Sequence, residues 1–182
     1  MTPPAPLRRK TIALVGLMGV GKSSIGRRLA HALDMPFHDA DTEIEKAAGC
    51  SISEIFNRLG EPAFREGERR VITRLIDEAP HVLATGGGAF MNADTRELLK
   101  ARTISVWLQA DIEVLVRRVS RKDTRPLLVG QDPAEVLTRL AAERYPAYAE
   151  ADLHIETGDA AHQVAVEAIL GALTRHLQAE TP

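Results

Sequence analysis

The 182-residue chain has a single cysteine, Cys50, which excludes an intramolecular disulfide and any metal centre built from several cysteines. It also lacks a dominant charge. The 23 Lys and Arg and 25 Asp and Glu leave a net charge of −2, so nothing global draws the chain to nucleic acid. No apolar run is long enough to cross a bilayer. The nearest candidate, 11–20, follows the basic cluster Arg8-Arg9-Lys10 as the core of a signal peptide would. It is followed by Lys22, Arg27 and Arg28 instead of a small-residue cleavage site. There is no internal repeat and no long linker. What remains is a cytoplasmic protein expected as a monomer, with neither nucleic acid nor membrane as a partner. A flexible N-terminal tail is read at 1–10 and one compact domain at 11–179, with 45% hydrophobic and 26% charged residues to build it.

Strand-like apolar runs alternate with longer helical patterns. The strands are read at 11–16, 35–38, 81–85, 103–108 and 153–156. Between the first two, 22–33 places Ile25, Leu29 and Leu33 at helical spacing. Ser51-Ile-Ser-Glu54 reads as a capping box opening a short helix that carries Ile55 and Phe56. A second helix follows at 63–78 with Val71, Leu75 and Ile76 on its buried face. Further helices are read at 93–101, 112–119, 132–145 and 159–178, the last with Val164, Ile169 and Leu173 inward. This alternation predicts an α/β fold with a parallel sheet covered on both faces. The segment 120–131, "SRKDTRPLLVGQ", is basic, holds Pro126 and Gly130, and reads as a mobile flap.

The stretch from Gly16 to Ser23 fits G-x-x-x-x-G-K-[ST], the phosphate-binding P-loop, with an apolar strand before it and a helix after it. Its glycines let successive N–H groups converge on phosphate oxygens, and the helix that follows aims its positive end at the same place. Lys22 reaches the β- and γ-phosphates, and the Ser23 hydroxyl is a ligand for Mg²⁺. The loop therefore predicts a nucleotide ligand, ATP first.

A P-loop does not name the phosphate acceptor. The second strand ends in Phe37-His-Asp39-Ala-Asp41, and alternation along an extended chain puts Asp39 and Asp41 on one side. Two carboxylates there divide two tasks, one holding the metal's water shell and one receiving a substrate hydroxyl. The plainer alternative is a helix cap beside a solvated charge. Arg65 and Arg144 are each, alone, ordinary arginines. Gly86-Gly87-Gly88 allows close approach of backbone to ligand, or is only a flexible turn.

Taken together, "GLMGVGKSSIGRRLA", "DADTEIE", "SISEIFNRLGEPAFREGE", "TGGGAF", "RPLL" and "ERYPAY" resemble the shikimate kinases, P-loop kinases related to nucleoside monophosphate kinases. The resemblance implies a P-loop NTPase fold with a five-stranded parallel sheet, a substrate-binding region at 39–65 and a lid at 118–131. It implies transfer of the ATP γ-phosphoryl group to the 3-hydroxyl of shikimate, with Mg²⁺ as cofactor. Gly19, Val20, Gly21, Lys22, Ser23 and Ser24 would line the phosphate site, with Ser23 on Mg²⁺ and Asp39 near it through water. Asp41 would bond the shikimate hydroxyls, as base or as orienting group. Arg65 and Arg144 would hold the carboxylate, and the backbone of Gly87 and Gly88 would meet the ring. Arg125 would swing onto the phosphates, and Arg118 would lie near adenine. The arginine that some members place near the last strand is missing from Glu156-Thr-Gly-Asp159. Two other readings are a gluconate kinase on the same fold and a non-catalytic nucleotide-binding module. The first does not need Asp41 together with Arg65 and Arg144, and the second does not need Lys22, Asp41 and Arg125 intact.

Overall fold

A computed structural model of the chain describes residues 9–121 and 126–180. Its strands are β1 (Thr11–Val15), β2 (Phe37–Asp39), β3 (Val82–Ala84), β4 (Thr103–Gln109) and β5 (Leu153–Glu156). They pair in parallel in the order β2-β3-β1-β4-β5, with Ile12 opposite both Val82 and Ile104. All five residues of β1 are buried. A strand with no exposed face needs helices on both sides of the sheet, which is why it reads as an unbroken apolar run. Because the strands run parallel, the turns after β1, β2 and β3 leave the sheet at one edge, where ligands of such sheets gather.

The helices are α1 (Lys22–Leu33), α2 (Ala40–Ala48), α3 (Ile52–Ile76), α4 (Ala93–Arg102), α5 (Ile112–Val119), α6 (Pro133–Tyr148) and α7 (His162–Glu180). Ile25, Leu29 and Leu33 of α1 are buried, as their spacing predicts. The expected capping box is present: Glu54 N donates to Ser51 Oγ at 3.2 Å, and Ser51 N donates to Glu54 Oε2 at 2.8 Å. The two helices read at Ser51 and at 63–78 meet without an intervening loop. Their joint is Gly60, with φ 82° and ψ 171°, two residues before Pro62, so α3 is sharply bent there.

The plainer alternative for Asp39 and Asp41 holds in that Asp39 caps a helix, α2, although the apolar pattern does not mark its extent. This helix buries only Ala40 and Ile44, too few apolar positions to set a period. The last helix begins at His162 instead of 159, and Val164 is exposed where an inward position was expected, while Ile169 and Leu173 are buried. On β4, Trp107 packs edge-on against Tyr145 of α6 and lies 5.8 Å from the Tyr148 ring. Of the tail, only Arg9 and Lys10 are described, and Lys10 pairs with Glu180 at 3.2 Å. Among the described residues no helix is long and apolar enough to cross a membrane.

Candidate active site

The turn after β1 is pressed against its neighbour. Gly16 has φ 145°, and a Cβ there would lie 2.6 Å from the carbonyl oxygen of Leu108 on β4, so only glycine fits. Gly21 precedes α1 with no side-chain cap, which leaves the first N–H groups of that helix to other partners. Lys22 Nζ donates to the carbonyl oxygens of Gly16 at 2.6 Å and Leu17 at 3.0 Å, folding back over its own loop. A cavity of about 430 Å³ opens here, lined by Gly19, Gly21, Lys22, Ser23 and Ser24. Val20 of the predicted set instead buries its side chain in the core. Arg118, on the last turn of α5, lines the same cavity and donates to Gly158 O at 2.7 Å and Val20 O at 3.3 Å. It thereby ties the P-loop to the turn before α7.

Asp39 sits where β2 ends. Its Oδ1 accepts from the N–H groups of Asp41 at 3.0 Å and Thr42 at 3.3 Å, and its Oδ2 accepts from the Ser23 hydroxyl. The extended-chain alternation expected through Asp41 therefore stops at Asp39. A carboxylate receiving two successive N–H groups is a helix cap, and it turns the chain into α2. Asp41 consequently stands in the first turn of α2. Asp39 and Asp41 nonetheless line a common space, as alternation would have had it.

That space continues into a second cavity of about 750 Å³, which holds Arg65, Arg144, Gly87 and Gly88. Met18, Asp39, Asp41, Gly86 and Gly87 line both cavities, so the two share one wall. Arg65 is held on both flanks. Its Nη1 donates to Glu68 Oε1 at 2.9 Å, and its Nε and Nη2 donate to Glu61 Oε1 at 3.3 and 3.2 Å. Counting N–H groups, three of the guanidinium's five are used, and the two that remain lie one on each terminal nitrogen. Each can still donate to an anion that enters the cavity. Gly88 runs so close that a Cβ would lie 2.5 Å from Arg65 Nη1. Arg144 is 6% exposed, at the last turns of α6.

Two residues of this cavity region went unread in the sequence. Glu68 is 3% exposed, and burial pushes its carboxyl above the ordinary carboxylate range against the opposing pull of Arg65. Tyr148 is fully buried and donates its hydroxyl to the carbonyl oxygen of Gly87. Each had a signal: Glu68 follows Arg65 by three positions and Tyr148 follows Arg144 by four, the spacings at which helix residues share a face. Of the lid read at 118–131, Arg118 and Val119 belong to α5, and Pro126–Leu128 forms a single 3-10 turn from which Leu127 reaches the larger cavity. Arg125 lies outside the described residues.

Comparison with known proteins adds an independent line. A family model described as shikimate kinase matches residues 18–174. The shikimate kinase of Caulobacter vibrioides is 72% identical over 169 residues, covering 93% of this chain and 84% of that protein. A solved structure of shikimate kinase from Acinetobacter baumannii in complex with shikimate is 40% identical with a TM-score of 0.91, over 94% of this chain and 96% of that one. A gluconokinase from Sinorhizobium meliloti covers 96% of this chain and 99% of its own, but at 18% identity and a TM-score of 0.61 it shares the fold alone. With the family model spanning most of the folded domain and such close kinship to a curated member, the chain belongs to the shikimate kinase family.

Proposed function

We propose that the smaller cavity seats ATP, that the larger one seats shikimate, and that the γ-phosphoryl group passes across their shared wall. The chain is an ATP-dependent kinase acting on shikimate, giving 3-phosphoshikimate and ADP. The observation that carries the assignment of cavities is that wall, where Asp39, Asp41, Gly86 and Gly87 face both sides.

Within it each residue has a task that its chemistry suits. Lys22 now bonds neutral carbonyl oxygens, and a phosphate oxygen is the stronger partner for an ammonium group. Ser23 and Asp39 are a hydroxyl and a carboxylate already in contact. That small set of hard oxygen donors fits Mg²⁺, which keeps several waters and binds by few protein ligands. When bound, Mg²⁺ neutralises charge on the phosphates. Asp41 aligns the acceptor hydroxyl, and a loose transfer state asks little more of it than alignment. Arg144 and the two remaining N–H groups of Arg65 hold the acceptor's carboxylate. Arg118 lies toward the base, and Arg125 is assigned to the phosphates from the family resemblance of the stretch that carries it. The need for ATP supports the cytoplasm as its site of action.

The test is an ATP-coupled assay offered shikimate, gluconate and nucleoside monophosphates in turn. Shikimate alone should support turnover. Asp41→Asn should lower kcat by about a hundredfold. Arg144→Ala should raise the KM for shikimate by about thirtyfold while the KM for ATP stays within twofold. Preferred turnover of gluconate, or equal damage to both KM values, would overturn the assignment of the larger cavity.

A further inference from the structure

Tyr148 ends α6 with its whole side chain buried, an unusual place for a polar group with no assigned task. Its hydroxyl donates to the carbonyl oxygen of Gly87, and the guanidinium of Arg144, one turn earlier, engages the phenol oxygen of Tyr148 itself. Arg144 in turn lies against Gly87, where a Cβ would stand 3.1 Å from its Nη1. The phenol thus bridges the guanidinium and the glycine carbonyl at the shared wall. Burial pushes the phenol up to about 12, with Arg144 pulling the other way, so it remains a neutral donor throughout the working pH range. The ring has a separate role, packing near Trp107 at 5.8 Å and Phe90 at 6.4 Å. The ring alone accounts for burial, but not for the bond to Gly87.

We propose that Tyr148 is a positioning residue for the transfer reaction: its hydroxyl fixes Arg144 against the glycine turn and so sets where the acceptor's carboxylate is held relative to the phosphate. This rests on the reading of the larger cavity as the shikimate site. A guanidinium on a long side chain has many rotamers, and one that is pinned loses less freedom when it takes up a ligand.

Tyr148→Phe keeps the ring and removes only the hydroxyl. We expect the KM and Kd for shikimate to rise about five- to tenfold, the scale of leaving buried partners unpaired, with the KM for ATP within twofold. Binding of the methyl ester of shikimate, which lacks the charged carboxylate, should be the same in both proteins. In an Arg144→Ala background the change should have no further effect on the shikimate Kd. An unchanged shikimate Kd, an equal loss for ATP, an equal loss for the ester, or a variant too unstable to assay each reduces Tyr148 to a packing residue and overturns the proposal. If Arg144→Ala itself leaves the shikimate Kd unaltered, the reading of the cavity is what has failed. If Arg144→Ala weakens shikimate and Tyr148→Phe does not, only the positioning role is lost.

Discussion

The two halves of the site are built on different principles although they share a wall. The phosphate end of the nucleotide side is drawn by one continuous stretch, 16–24, and its form comes from backbone: positive φ angles, an uncapped helix start and loop carbonyls folded around Lys22. The acceptor side is drawn mostly by side chains delivered from α2, α3 and α6 around the backbone of the Gly86–Gly88 turn. Glycine shows the contrast. At Gly16 the missing Cβ makes room for another strand's backbone, whereas at Gly88 it makes room for the movable end of Arg65. The same residue type serves the fold in one place and the ligand in the other.

Substitution at these positions measures that contrast. Gly16→Ala should be the most damaging, because neither its φ of 145° nor the Leu108 carbonyl can give way. A loss of about 3 kcal/mol is expected, seen as a fall in Tm of roughly 10 °C by thermal denaturation. Gly88→Ala should spare the fold and displace the Arg65 guanidinium instead. Its Tm should stay within about 2 °C while the KM for shikimate rises about tenfold in steady-state assays, the scale of one charge-assisted hydrogen bond. If Gly88→Ala proves the less stable of the two, the contrast is wrong. The smallest effect belongs to Ser51→Ala, which removes the cap of the α3 segment lining the acceptor cavity. It should cost about 1 kcal/mol in denaturant unfolding and leave the KM for ATP unchanged, since the nucleotide side borrows nothing from that helix.

The same contrast explains what was legible beforehand. The strands, α1 and the P-loop could be read because their signals are local: apolar runs, a 3.6-residue period and a fixed spacing of glycines around Lys22. Asp39 and Asp41 were rightly paired for a reason that does not hold, since the chain bends into α2 between them. The start of α2 was legible only as the plainer alternative, a cap at Asp39, because its two buried residues set no period along the helix. Arg65 and Arg144 could be singled out only through resemblance, as nothing within 79 positions of chain says that two arginines will face one cavity. Glu68 and Tyr148 are harder still. Their meaning lies in what they touch across the fold, the guanidinium of Arg65 and the carbonyl of Gly87.

The chain carries one indole, and β4 wedges it beside the two tyrosines of the helix that bears Arg144. Emission excited at the red edge therefore originates from a single, sheltered spot. A shift in its colour or lifetime registers the seating of α6 during titration, so the protein carries its own optical gauge without any dye.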